Sequence, residues 1–183
     1  ASSDYTIGYD TAMNTAMDAI DKLRDTASSH ERCSVIEVMG RNAGYIALNV
    51  GIACGAEVVL IPEVPHTIEG DVIKPLLAAR NRGKKHFIVV VAEGTGDCVE
   101  LSQTIEKMTG IESRTTILGH LQRGGSPTVR DRQMASYMGI HAIECLRDGR
   151  INRIVCYKAG EILDLDINEA LNAKKSIEKI QLE

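Results

Sequence analysis

The stretch GHLQRGGSP (residues 119–127) concentrates residues that can bind an anion. His120 and Arg123 stand three positions apart, so their side chains can converge on one ligand. An arginine guanidinium can hold two phosphate oxygens at once, and the glycines of the stretch let the backbone approach a ligand closely. The stretch therefore predicts a phosphate-binding loop. The alternative is that Ser126 and Pro127 start a helix and the arginines are solvated.

Two further positions offer groups that complement such a loop. Gly40 and Arg41 follow an apolar segment and precede a helix-like run, so they can bind an anion together with the free amides of the helix start. Glu93 ends another apolar segment, and its carboxylate can accept hydrogen bonds from sugar hydroxyls. From the residues alone, an ordinary turn at Gly40 and a helix-capping role for Glu93 remain open.

The stretch RGKKH (residues 82–86) is a second concentration of basic groups. It precedes an apolar segment, so it belongs at the edge of a sheet opposite the first loops. Composition alone favours a solvated basic turn here over an anion site. Neither residues 94–96 nor Gly83–Lys84 completes a dinucleotide-binding or Walker motif, because the required further glycines and hydroxyl residues are missing.

Apolar β-rich segments alternate with helical patterns along the chain, which predicts an α/β fold with a largely parallel sheet. The loops of interest follow the predicted strands, at the edge where such sheets bind ligands. After residue 160 we expect a short helix and a turn. The predicted strands are 33–39, 57–62, 86–94, 113–119 and 153–160, and the predicted helices are 11–30, 41–55, one ending near 82, 101–110 and 131–149.

Composition narrows the class of protein. The chain has 183 residues and a net charge of −4, without the basic excess typical of proteins that bind nucleic acid or membrane surfaces. No apolar run approaches the ~20 residues of a membrane span. The five cysteines are dispersed and odd in number, which favours buried, reduced thiols in a cytoplasmic protein. The histidines are equally dispersed, so no metal-binding cluster is predicted.

Taken together, the motifs TIGYDTAMNTA, EVMGRNAGYIAL, GAE, RGKKH, VVAEG and GHLQRGGSP, in this order, resemble the bacterial ATP-dependent phosphofructokinases. The resemblance implies a three-layer α/β sandwich and an allosteric, cytoplasmic homotetramer. It implies transfer of the γ-phosphoryl group of ATP, with Mg²⁺, to the 1-hydroxyl of fructose 6-phosphate in glycolysis. ADP or phosphoenolpyruvate would be the effector.

The resemblance also assigns roles to residues. Arg41 would stabilise the charge that develops on the transferred phosphoryl group, and Arg32 and Arg114 would reach the substrate phosphate of a neighbouring subunit. Glu57 would help to hold the metal ion of the effector. The substrate-binding set is Arg32, Met39, Gly40, Arg41, Glu93, Arg114, His120 and Arg123. The effector-binding set is Arg24, Gly55, Glu57, Arg82, Lys84, Lys85 and His86.

The family's ATP-binding loops and catalytic aspartate precede the segment seen here, so the chain resembles a carboxyl-terminal fragment that we expect to be inactive alone. Residues 1–121 and 173–183 would form the domain that binds fructose 6-phosphate and the effector. Residues 122–172 would belong to the ATP-binding domain.

Two alternatives remain. The first is a pyrophosphate-dependent phosphofructokinase, because the residues that select the donor lie mostly outside this segment. The second is a stand-alone module that binds sugar phosphates.

Overall fold

The computed structural model of the chain describes residues 2–27 and 31–173, and its contacts divide the chain into two units. We call Ala12–Gly125 the sheet unit, and Ala1–Thr11 with Ser126–Glu183 the hairpin unit. The elements are α1 (Tyr9–Ala27), β1 (Arg32–Val38), α2 (Tyr45–Cys54), β2 (Val58–Leu60), a π-helical turn (Ile68–Ile73), α3 (Lys74–Asn81), β3 (His86–Ala92), α4 (Cys98–Thr109), β4 (Glu112–Ile117), a 3₁₀ turn (Gly119–Arg123), α5 (Val129–Arg147), β5 (Arg153–Lys158), β6 (Glu161–Asp166) and α6 (Ile167–Asn172).

The sheet unit is built on four parallel strands in the order β2-β3-β1-β4. Six of the seven residues of β3 are buried, as expected for an apolar, β-branched strand at the centre of a parallel sheet. Alternate residues of β1 and β3 pack against α3 and α4, and this core includes Phe87, Val89 and Ile105. The predicted α/β class, with a mostly parallel sheet and flanking helices, is confirmed.

Capping residues fix where the helices of the sheet unit begin and end. Asp97 accepts hydrogen bonds from the amides of Val99 and Glu100 at the start of α4. The helices α2 and α4 end at Gly55 and Gly110, whose left-handed conformation suits glycine. These ends keep the connecting loops short, so each loop leaves its strand at a defined place.

Several predicted boundaries were wrong by a few residues. The second helix begins at Tyr45 rather than at residue 41, because Gly40–Ala43 closes a turn first. The second strand covers only Val58–Leu60. Helix α1 begins two residues earlier than predicted, at Tyr9, and the last residues of its predicted range, 28–30, lie outside the described residues.

In the hairpin unit, β5 and β6 form an antiparallel pair. Their connection has positive φ at Ala159 (50°) and Gly160 (91°), as a tight primed turn requires. The sequence prediction of helix and turn after residue 160 was therefore wrong for Glu161–Asp166. Half of the residues in this strand are acidic, and acidic residues are poor strand formers, so the sequence did not predict a strand here.

Asp131 ties the beginning of the chain to α5 within the hairpin unit. Its carboxylate is 1% exposed and accepts hydrogen bonds from the Tyr5 hydroxyl (2.5 Å) and from the amides of Gly8 and Thr11 (2.8 Å each). Burial raises the pKa of this carboxyl, but the hydrogen bonds from Thr11 and Tyr5 outweigh it and hold the pKa below its ordinary value.

All five cysteines lie in the described residues, where they are buried free thiols, as predicted. In the described part of the chain, no helix combines the length and the apolar character that crossing a membrane requires.

Candidate functional site

Three loops meet at the carboxyl edge of the parallel sheet. They follow β1, β3 and β4 and carry Met39–Gly40–Arg41, Glu93 and the 3₁₀ turn Gly119–Arg123. Parallel strands end at the same edge, so the sheet brings together loops that are far apart in the sequence. We call this group the cradle.

Glu93 lies at the centre of the cradle. Its Oε2 atom accepts hydrogen bonds from the amide of Gly40 (3.2 Å) and the amide of Arg41 (2.9 Å). These two bonds, with the positive charges of Arg123 and His120 adding to them, hold the pKa of the carboxyl below its ordinary value. The amides predicted to form an anion site thus hold a carboxylate of the same chain, whose second oxygen, Oε1, takes no part in these bonds.

The loop that carries Arg41 has a constrained backbone. Arg41 is a non-glycine residue with a φ of 58°, a conformation that costs free energy and persists only where neighbours enforce it. Gly94 lies against it: a Cβ atom at Gly94 would come within 2.6 Å of the carbonyl oxygen of Arg41. The turn is closed by the bond from the Ala43 amide to the Gly40 carbonyl (3.0 Å). The position of Arg41 is therefore set by the backbone.

Gln122 is a cradle residue that sequence reasoning missed as a functional group. It is 1% exposed, its Oε1 accepts from the amide of Met39 (2.7 Å), and its Nε2 donates to the carbonyl of Ala12 (3.4 Å). The one available signal was its position between two predicted anion ligands, His120 and Arg123.

His120 and Arg123 themselves are exposed on the 3₁₀ turn. Gln122 lies between them and accepts from the Met39 amide, so the turn that carries both side chains lies against the Met39–Arg41 loop. The fold therefore brings six of the predicted substrate-binding residues to the carboxyl edge of the sheet: Met39, Gly40, Arg41, Glu93, His120 and Arg123.

The other two predicted substrate-binding residues, Arg32 and Arg114, lie at or near the amino edge. Glu112 holds both: Arg32 Nη2 lies 3.1 Å from each carboxylate oxygen of Glu112, and Arg114 Nη2 lies 2.7 Å from Oε1. In the strand register Arg32 stands beside both Glu112 and His86. The pair is therefore placed away from the cradle of its own chain.

A cavity of about 550 Å³ opens at the amino edge. Five of the seven predicted effector residues line it, together with Cys54, Gly83 and Ile88: Arg24, Gly55, Lys84, Lys85 and His86. Glu57 forms an ion pair with Lys84 and also accepts from the amide of Ile88 (2.7 Å). Arg82 is not among the lining residues and lies at the end of α3. We call this cavity the basic cavity.

His86 contributes a partly buried imidazole ring to the basic cavity. Within the residues that the structure describes, neither buried ring nitrogen has a hydrogen-bond partner. Burial and the charges of Arg24 and Lys84 lower the pKa of the imidazole, and Glu57 partly opposes them. An anion in the cavity would offer this ring both a hydrogen bond and a compensating charge.

The sequence predicted no cluster of metal-ligating side chains, but the hairpin unit contains one. Ligand atoms of His141, Cys145 and Asp164 lie within 4.8 Å of one another. Asp164, however, accepts a bond from Arg153 Nε (2.6 Å) and pairs with Arg150, and these two cations oppose a metal ion. Asp164 is instead the shared partner of Arg150 and Arg153, and its contact with His141 joins β6 to α5.

The phosphofructokinase family model matches residues 1–146. The chain belongs to the phosphofructokinase family. This finding agrees with the resemblance drawn from the motifs, and it covers both the cradle and the basic cavity.

Curated relatives are similar to this chain over nearly its whole length. An "ATP-dependent 6-phosphofructokinase 1" of Clostridium perfringens is 53% identical over 97% of this chain, which covers 55% of that protein. An "ATP-dependent 6-phosphofructokinase" of Clostridioides difficile is 51% identical over 98% of this chain, which covers 56% of that protein. The chain thus spans about half the length of the curated relatives it matches.

Solved structures agree on the fold. Phosphofructokinase from Saccharomyces cerevisiae superposes with a TM-score of 0.85 at 32% identity, over 92% of this chain and 24% of that one. A pyrophosphate-dependent phosphofructokinase from Marinobacter aquaeolei superposes with a TM-score of 0.76 at 22% identity, over 94% of this chain and 48% of that one. At that identity the second likeness supports the fold alone.

Proposed function

We propose that this chain is the carboxyl-terminal part of an ATP-dependent 6-phosphofructokinase and supplies the site that binds fructose 6-phosphate. The observation that carries the proposal is that Glu93 and Gln122 both accept hydrogen bonds from the Met39–Arg41 loop, and that Gln122 lies between His120 and Arg123 in its turn, in a chain of this family. In the complete protein the reaction is transfer of the γ-phosphoryl group of ATP to the 1-hydroxyl of the sugar.

In this proposal each cradle residue has a role in substrate binding or phosphoryl transfer that suits its side chain. His120 and Arg123 hold the 6-phosphate, since both are exposed hydrogen-bond donors on one short turn. Glu93 accepts from sugar hydroxyls through Oε1, while Oε2 holds the loop amides. Arg41 stabilises the charge that develops during transfer. Met39 and Gly40 contact the sugar.

Arg32 and Arg114 act on the substrate of a neighbouring subunit in this proposal, so the complete site needs more than one subunit, and we propose the homotetramer that the family resemblance implies. Their position away from the cradle of their own chain supports this assignment. The basic cavity binds the effector, ADP or phosphoenolpyruvate, through Arg24, Gly55, Lys84, Lys85 and His86, with Arg82 beside them. Glu57 helps to hold the effector's metal ion after its own ion pair with Lys84 has broken.

Mg²⁺ would accompany ATP, but the cradle offers little to hold it. Mg²⁺ takes carboxylate and phosphate oxygens as ligands, and Glu93 already accepts from two amides. We therefore assign no catalytic magnesium ligand to the described residues. The names of the relatives that are 51–53% identical favour ATP over pyrophosphate as donor.

The domain assignment and the location also remain proposals. We assign residues 122–172 to an ATP-binding domain; the change of structural unit between Gly125 and Ser126 supports a boundary close to the start of this segment, although Ala1–Thr11 group with the later unit. Because the ATP-binding half and the catalytic aspartate would lie outside this chain, we propose that the chain alone is inactive. We place the protein in the cytoplasm, as suits a glycolytic enzyme.

Calorimetric titration of this chain with fructose 6-phosphate tests the proposal, with fructose as the matched ligand that lacks the phosphate. We expect saturable binding of fructose 6-phosphate and none of fructose. A chain that binds neither sugar would contradict the assignment of the cradle. Turnover of fructose 6-phosphate and MgATP by the pure chain would contradict the proposed inactivity.

A further inference from the structure

Gln122 is a fully buried amide in the wall of the cradle. Burying an amide costs free energy unless its groups find partners. Here both ends find backbone partners that are distant in sequence, the amide of Met39 and the carbonyl of Ala12. The side chain therefore joins β1, α1 and the 3₁₀ turn at one point.

The amide that Gln122 binds is the first one beyond the last residue of β1, Val38. The next two amides, of Gly40 and Arg41, are held by Glu93. Three consecutive amides are thus bound by two side chains, and the loop follows one path. Without Gln122, the amide of Met39 would lose its hydrogen-bond acceptor, and the start of the loop would no longer be held in one direction.

The 3₁₀ turn of Gln122 also carries His120 and Arg123. These two side chains are exposed while Gln122 points inward and is buried. The amide of Leu118 donates to the backbone carbonyl of Glu37 (3.1 Å), which anchors the start of the same turn to β1. One short turn therefore carries two exposed hydrogen-bond donors, His120 and Arg123, and also holds the neighbouring loop through Gln122.

We propose that Gln122 is a positioning residue that fixes the Met39–Arg41 loop relative to His120 and Arg123. The inference rests on the proposed function for the identity of the ligand. Inorganic phosphate needs only the His120 and Arg123 side chains, whereas a sugar phosphate also needs the loop. Gln122 therefore sets how much more tightly a sugar phosphate binds than phosphate does.

The main test compares Gln122→Met with wild type in titrations of this chain with inorganic phosphate and with fructose 6-phosphate. Methionine keeps the volume and removes both hydrogen bonds. We expect fructose 6-phosphate to bind about tenfold more weakly and inorganic phosphate to change less than about threefold. Equal weakening of both ligands would show only general loosening and would overturn the inference. Gln103→Met, at an exposed position of α4, is the matched control and should bind both ligands as wild type does.

A second measurement does not depend on any ligand. Hydrogen exchange followed by NMR should show that the Met39 and Arg41 amides exchange about fivefold faster in Gln122→Met. Gln122→Glu keeps the acceptor for the Met39 amide, so its exchange rate at Met39 should stay closer to wild type. If Arg41 exchanged at the wild-type rate in Gln122→Met, the inference would fail. Failure of wild type to bind fructose 6-phosphate would instead contradict the proposed function.

Discussion

The two edges of the same parallel sheet differ in which groups already have a partner within the chain. At the carboxyl edge these groups are backbone amides: Gln122 and Glu93 accept hydrogen bonds from the amides of Met39, Gly40 and Arg41. At the amino edge they are cationic side chains. Lys84 pairs with Glu57, and Arg32 and Arg114 share Glu112.

This difference has a physical consequence. A ligand at the cradle meets a loop whose shape is already fixed, so little ordering opposes binding. A ligand at the amino edge must compete with a carboxylate for each paired cation. Such an exchange of partners has a small net free energy that depends on salt and on nearby charge. The carboxyl edge therefore suits tight, specific binding, and the amino edge suits adjustable binding.

Replacing Arg123 should give the largest effect of the single substitutions at the two edges. Arg123→Ala removes a guanidinium from the prebuilt cradle, and a hydrogen bond to a charged group contributes about 1.5–3 kcal/mol. We expect fructose 6-phosphate to bind this chain about 10- to 100-fold more weakly in calorimetric titration. ADP binding at the basic cavity should change less than about twofold.

Arg147→Ala is the control, because this arginine side chain is 72% exposed and far along α5 in the sequence. It should bind fructose 6-phosphate like wild type. If Arg123→Ala weakened ADP as much as fructose 6-phosphate, the two edges would not be separate sites.

Replacing Lys84 should have a smaller effect, confined to the amino edge. Lys84→Ala removes one cation of the basic cavity and leaves the Glu57 carboxylate, which is 8% exposed, without its ion-pair partner. Both changes disfavour an anion, so ADP should bind about fivefold more weakly at low salt, and the difference should shrink as salt is added. Fructose 6-phosphate binding should stay within about twofold of wild type.

Lys107→Ala, at an exposed position of α4, provides the control for loss of a lysine charge. The same loss of ADP affinity in Lys107→Ala would mean that net charge, and not the cavity, governs binding.

Sequence reasoning located the cradle because the positions of strands along the chain follow from simple patterns. Apolar β-rich runs placed the ends of β1, β3 and β4 to within two residues, and parallel strands end at one edge. The roles of Gln122 and Glu112 could not be predicted this way. The bond between Gln122 and Met39 joins residues 83 positions apart, and the pairing of Arg32 with Glu112 depends on the strand register. Neither contact leaves a local pattern in the sequence.

The smallest expected effect is on stability and comes from His86. Burial and the charges of Arg24 and Lys84 lower the pKa of His86 in the folded chain below its ordinary value. As the pH falls through that ordinary value, about 6.5, the unfolded chain binds a proton that the folded chain resists, so the stability of the fold decreases.

His86→Asn removes this dependence of stability on the protonation of residue 86. In urea unfolding between pH 7.5 and 5, the variant should lose less stability on acidification than wild type, and ADP in the cavity should reduce the wild-type loss. Parallel curves for the two proteins would mean that His86 does not resist protonation, and the amino edge would then lack the sensitivity to charge that distinguishes it from the cradle.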